Sequence, residues 1–213
     1  MALRHARAHA ETGAGDVKID AQPMQRVIVA ITGASGAIYG IRALQLLRAN
    51  ADVETHVILT PAAMRTILEE TDFKAEGVKA LAGRLYDYRD IGAAISSGSY
   101  KTMGMLVAPC SVRTLSGIAN CNDHELVVRS ADVCLKERRR VVLLFRETPL
   151  RAGHIALMDQ ATRNGAIVMP PVPAFYARPK SVADIVDQTV GRALDLFGIE
   201  TDVVKRWRAE ETG

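Results

Sequence analysis

From Met24 onward, short apolar runs alternate with stretches whose apolar positions recur every three or four residues. Arg26 to Ile31, Thr55 to Leu59, Met105 to Ala108, Val141 to Phe145 and Ala166 to Met169 read as buried strands. Helical spacing fills Ala37 to Arg48, Ala62 to Glu70 and Ile155 to Asn164. A last helix, capped by Ser181 and ended by Gly198, carries Val182, Ile185, Val186, Thr189, Val190, Ala193, Leu194 and Phe197 on one face. This alternation predicts βαβ units and a parallel sheet. Lys74 to Lys101 is weakly periodic and contains Ser96, Ser97, Gly98 and Ser99, so it predicts a loop near the carboxyl edge of that sheet. Residues 1–23 lack apolar periodicity and read as a mobile extension, leaving 24–213 as a single domain without repeats.

Composition narrows the class. A chain of 213 residues with 48% hydrophobic and 24% charged residues has the make-up of an ordinary soluble domain. A net charge of +3 is too small for a broad nucleic-acid-binding face, so any important positive charge is local. Cys110, Cys121 and Cys134 are odd in number and widely spaced, which gives neither a disulfide framework nor a CxxC pair and suits a reducing cytoplasm. No apolar run approaches the roughly 20 residues of a membrane helix. The basic start, Met1 to His9, hints at organelle import, and Glu11, Asp16 and Asp20 count against it.

The chemistry gathers at strand ends. The first strand runs into Thr32-Gly33-Ala34-Ser35-Gly36, a small-residue turn that opens a helix and lets backbone N–H groups approach a phosphate. Ser35 replaces the second glycine of the dinucleotide fingerprint, and Thr60 stands where a ribose-gripping acid would end the second strand. That favours a mononucleotide such as FMN over NAD, although such glycines also serve close packing alone. After Met105 to Ala108, the turn Pro109-Cys110-Ser111-Val112-Arg113-Thr114 offers two hydroxyls and a guanidinium at another helix start; a capped helix with a solvated Arg is the plain alternative. Cys110 has no nearby His and reads as a small buried thiol.

A basic cluster, Arg129 and Lys136 to Arg140, precedes the strand that ends in Arg146-Glu147-Thr148-Pro149. It is either a solvated helix end or a grip for a phosphorylated substrate, with Glu147 either a proton donor or one half of an ion pair. Pro170 to Tyr176 makes a stiff apolar wall with a phenol at its rim, or simply a cover for the core. His56 and His154 lack acidic or Cys partners at ligand spacing and read as satisfied or surface histidines, and no metal site is legible.

Taken together, TGASGAIYG from Thr32, APCSVRTLSGIA from Ala108, ADVCLKERR from Ala131, RETPL from Arg146 and PPVPAFYARP from Pro170 resemble the UbiX/Pad flavin prenyltransferase family, from Arg26 to Trp207. The resemblance implies a flavodoxin-like (Rossmann-like) doubly wound sheet with helices on both faces, in three layers. It also implies a homododecamer with its active site between subunits. Such enzymes join dimethylallyl monophosphate to reduced FMN without metal, and the prenylated FMN serves a UbiD-like decarboxylase. By motif, Gly33, Ala34, Ser35, Thr60, Ser111, Val112, Arg113, Thr114 and Arg129 would hold FMN. Lys136, Tyr176, Arg192 and Arg129 would meet the prenyl phosphate, with Ser35, Glu70 and Glu147 handling protons and Lys136 and Glu147 serving leaving-group departure.

Two other readings compete. One is a flavin-dependent cysteine decarboxylase, whose PASANT-like turn is here Pro109 to Thr114 and for which the KERR and RETPL strings have no role. The other is a non-enzymatic FMN carrier for a decarboxylase. One stretch departs from the family pattern: Asn120-Cys121 replaces a commonly glycine-bearing turn, and Asn122-Asp123-His124-Glu125 stands where an Asp-Asn or an equivalent Asn is usual.

Overall fold

The computed structural model describes residues 24–207, so the predicted extension over 1–23 lies outside the described residues. The chain runs β1 (Gln25–Ile31), α1 (Ala37–Arg48), β2 (Val53–Leu59), α2 (Pro61–Glu70), α3 (Ala75–Lys79), β3 (Arg84–Tyr86), β4 (Gly104–Cys110), α4 (Val112–Ala119), α5 (Leu126–Lys136), β5 (Arg140–Phe145), α6 (Ala152–Arg163), β6 (Ile167–Val168) and α7 (Val182–Asp195). The strands form one sheet in the order β3-β2-β1-β4-β5-β6, every pair parallel. This is the doubly wound order. Strands β2 and β3 extend to one side of β1, and β4, β5 and β6 to the other, so the winding reverses between β1 and β4.

Alternate β1 residues serve two cores, which is why the strand is apolar throughout. Val27, Val29 and Ile31 pack with Ile41, Leu44 and Leu47 of α1, Ile67 of α2 and Val190 and Leu194 of α7. Ile28 and Ala30 face the other side, with Leu115 and Ile118 of α4, Leu126 and Ala131 of α5 and Ala161 of α6. Helices therefore cover both faces and make three layers. Gly40 allows α1 to lie close against the sheet: a Cβ there would sit 2.2 Å from the Ala108 carbonyl oxygen and 2.7 Å from Ile31 Cγ1. None of the described helices is long and apolar enough to cross a membrane.

The segment Lys74 to Lys101 departs from its expectation. It contains α3, edge strand β3 and a short 3-10 helix at Ala94–Ser96. Its last part lies at the amino edge of the sheet, where Arg139 donates to the carbonyls of Gly98 at 2.6 Å and Tyr100 at 2.8 Å, just before β4 and β5 begin. An edge strand packs on one side only and is here three residues long, so it leaves no apolar run to recognise.

His56 is a satisfied core histidine, with an acid among its partners. Fully buried, it lies 3.3 Å from Glu54 Oε2 through Nε2 and 2.8 Å from the Tyr86 hydroxyl through Nδ1. Burial holds the His56 ring below the usual histidine pKa, with Glu54 opposing.

Candidate functional site

The crevice where the winding reverses is held shut at its base by Thr32. Its hydroxyl donates to the Pro109 carbonyl at 2.8 Å and accepts from the Ser111 amide at 2.9 Å, joining the ends of β1 and β4. Thr32 is almost fully buried, so its bond to the Pro109 carbonyl forms away from water, while the bond from the Ser111 amide is part-buried.

Three helix amino ends surround that base. Ser111 caps α4, accepting from the Thr114 amide at 3.3 Å, with the Thr114 hydroxyl 3.0 Å away. Thr60 caps α2, accepting from the Ala63 amide at 3.1 Å, with Pro61 in the first helical position. At α1, Gly36 takes the left-handed conformation (φ 100°) that glycine tolerates. The Glu70 carboxylate accepts from the Gly36 amide at 2.7 Å and the Ala37 amide at 3.3 Å. A carboxylate on this chain thus already occupies donors at the positive end of α1, which narrows the expectation that this turn as a whole approaches a phosphate.

Above these turns lies a cavity of about 650 Å³, and Gly33, Ala34, Ser35, Thr60, Ser111, Val112, Arg113 and Thr114 all line it. Eight of the nine residues assigned to FMN by motif therefore converge from three separate stretches. Glu147 lines it too, its carboxylate accepting the Thr148 amide at 2.9 Å. Glu70 stands on the Gly36 and Ala37 amides, which follow Ser35 in the chain, and does not line the cavity. Arg129, one turn into α5, bonds Asp123 at 3.3 Å and Asp132 at 3.2 Å.

The remaining candidates lie elsewhere in the same chain. Lys136 ends α5 just before β5 begins, and its Nζ lies 2.5 Å from Glu137; a Cβ on Gly98 would sit 2.8 Å from that Nζ. Arg192, in the last turn of α7, bonds Asp195 at 2.5 Å; the next residue, Leu196, accepts from Arg140 at the start of β5. Both cations are at the amino edge, opposite the cavity. Within one chain the basic cluster is thus not beside the Gly33 turn, because α5 and α7 run back across the sheet. The Tyr176 hydroxyl accepts from Gln188 at 3.1 Å, and its ring meets Trp207 edge-on at 5.5 Å.

Six further residues line the cavity: Thr32, Pro61 and Ala62 within the turns already described, and Tyr88, Glu125 and Arg146. Arg146 follows β5 directly, and its amide reaches the Cys110 carbonyl at 3.1 Å. Tyr88 and Glu125 come from the weakly periodic segment and the atypical loop, which the Leu126 amide links by donating to the Tyr88 carbonyl at 2.9 Å. No spacing rule marks them. Cys110 is buried, and burial pushes its thiol far above the ordinary range, so it is no nucleophile. Burial likewise pushes the Cys134 thiol up to about 11.

Comparison with known proteins adds the family. Residues 18–194 match the flavoprotein family. The flavin prenyltransferase UbiX of Escherichia coli K12 is 54% identical over 187 residues, covering 87% of this chain and 99% of the relative. The crystal structure of AnUbiX (PadA1) in complex with FMN and dimethylallyl pyrophosphate is similar at a TM-score of 0.84 and 48% identity, covering 86% of this chain and 97% of the other. A dodecameric FMN-dependent UbiX-like decarboxylase from Escherichia coli O157:H7 is similar at a TM-score of 0.84 and 46% identity, covering 86% and 99%.

Proposed function

Since this chain belongs to the flavoprotein family, and within it to the flavin prenyltransferases, we propose that its cavity at the β1–β4 reversal holds the FMN to be prenylated. One observation carries the assignment. Gly33 to Ser35, Thr60 and Ser111 to Thr114, distant in sequence, line one cavity of about 650 Å³, within the range usual for small-molecule sites. The residues suit the ligand: a phosphate accepts hydrogen bonds, and hydroxyl groups, a guanidinium and the amino end of α4 supply donors and positive potential.

Reduced FMN supplies the electron-rich ring to which a five-carbon unit is joined. The protein's task is to neutralise the phosphate that leaves the allylic fragment. Lys136, Arg129, Arg192 and the Tyr176 hydroxyl are assigned to it, as cations and a donor aimed at developing negative charge. Ser35, Glu70 and Glu147 are assigned to proton handling; Ser35 and Glu147 line the cavity, and Glu70 is held by the Gly36 and Ala37 amides at the start of α1.

Lys136 and Arg192 stand at the opposite sheet edge from this cavity, so the full set requires neighbouring subunits. A homododecamer supplies them, as the dodecameric similar structure supports. The prenyl donor is dimethylallyl monophosphate, and the prenylated flavin passes to a UbiD-like decarboxylase. Three unpaired cysteines, Cys110, Cys121 and Cys134, support a cytoplasmic enzyme.

Anaerobic incubation with reduced FMN and dimethylallyl monophosphate, followed by mass spectrometry of the extracted flavin, tests the reading. A mass gain of one five-carbon unit is expected. An unchanged flavin mass with both substrates bound overturns it.

A further inference from the structure

We propose that Glu125 is a positioning residue for flavin binding, an exchangeable counter-ion that aims Arg113 at the cavity and then yields it to the flavin phosphate. The inference rests on assigning the cavity to FMN. Glu125 is the N-cap of α5, yet its side chain caps no amide of that helix. Its carboxylate is instead ion-paired with Arg113, in the first turn of α4. Both residues line the cavity.

The partners are unequally held. Glu125 is only 25% exposed in its side chain, and its backbone is fixed on both sides: its carbonyl accepts from the Arg129 amide, and the Leu126 amide is bonded to Tyr88. The Arg113 side chain is 84% exposed and swings with little loss of packing. Asp123, in the same loop, pairs with Arg129, which is the more sheltered partner there and also bonds Asp132. The α4–α5 loop thus sets one carboxylate against each arginine assigned to FMN.

A phosphate dianion carries more charge than a carboxylate and matches the planar guanidinium fork as well, so it displaces Glu125 from Arg113. The displaced carboxylate stays at the cavity wall and competes with the phosphate for the Arg113 guanidinium. Glu125 therefore orients Arg113 before binding and weakens the bound state, which favours release of a product that must leave.

The dissociation constant of FMN, measured by flavin fluorescence on the full chain, tests this in the parent, Glu125→Gln, Arg113→Gln and the double variant. Gln keeps an acceptor for Arg113 and removes the competing charge. Glu125→Gln is expected to bind FMN about fivefold more tightly, the scale of one exposed charge contact. In the Arg113→Gln background the same change should have less than about a twofold effect, because Glu125 acts through Arg113. Unchanged or weaker binding by Glu125→Gln overturns the proposal, as does an equal gain without Arg113. A parent that binds no FMN overturns the cavity assignment itself, an outcome distinct from the other two.

Discussion

Replacing Thr32 by Val tests whether the base of the cavity depends on one hydroxyl. Val is nearly isosteric, so the backbone and methyl packing remain while two hydrogen bonds vanish, one to the Pro109 carbonyl and one from the Ser111 amide. The carbonyl keeps a bond from the Thr32 amide at 3.3 Å, and the Ser111 amide is the group left stranded. A stranded amide costs up to roughly 1–3 kcal/mol, at its largest when fully buried, and the lost bond to the carbonyl adds about 1 kcal/mol. The sum, about 2–4 kcal/mol, is a large share of the roughly 5–15 kcal/mol that holds a domain together. For a chain of this size each kcal/mol lowers the melting temperature by about 2–4 °C, so Thr32→Val should melt roughly 4–16 °C below the parent at equal protomer concentration. FMN should also bind more weakly, since Ser111 and Thr114 lose their anchor. Thr32→Ser keeps the hydroxyl and should recover most of both losses. If Thr32→Val melts within about 1 °C of the parent while Thr32→Ser is worse, the Thr32 hydroxyl does not hold the ends of β1 and β4 together.

Three other outcomes follow from the same geometry. Glu147→Gln should leave FMN affinity within a few-fold while turnover falls by about 10²–10⁴, the usual worth of a proton donor; equal loss of affinity and turnover argues against that role. Lys136→Ala should bind FMN like the parent yet give no prenylated flavin by mass spectrometry, whereas a mere FMN carrier would be unaffected. His56 has a folded pKa depressed by burial, so the unfolded chain takes up its proton first on acidification. Stability tied to this ring is full above the unfolded value of about 6.5 and is lost as pH falls toward the lower folded value. Glu54, raised by burial but held lower overall by Arg26 and His56, loses its contribution only in the more acidic carboxylate range. Tyr86, Tyr100, Arg26 and Arg84 also face this ring. Melting temperature against pH for the parent and His56→Gln should therefore diverge between about pH 6.5 and 5, with the parent the steeper; parallel curves refute the assignment.

Several parts of the molecule were legible because their signals are local. Helix α1 has the bounds its spacing predicts, Ala37–Arg48, since a helix packed on one side repeats its apolar face every three to four residues. Strands β1, β2, β4 and β5 show as apolar runs because both faces are covered. The Gly33 turn and the Ser111–Thr114 corner announce themselves by residues that turns and caps require, and both line the cavity.

Tertiary structure decided what depends on distant segments meeting. Only the strand order brings Thr32 against Pro109 and Ser111, or sets Glu70 on the amides that open α1. Tyr88 and Glu125 reach the cavity through a contact between two stretches without periodicity. The travel of α5 and α7 back across the sheet puts Lys136 and Arg192 at its far edge, although their motifs read as companions of the phosphate corner. Periodicity records which face of an element is covered, but not which element covers it. A site assembled where the winding reverses is made of those pairings, so its parts are written in the sequence and its arrangement only in the fold.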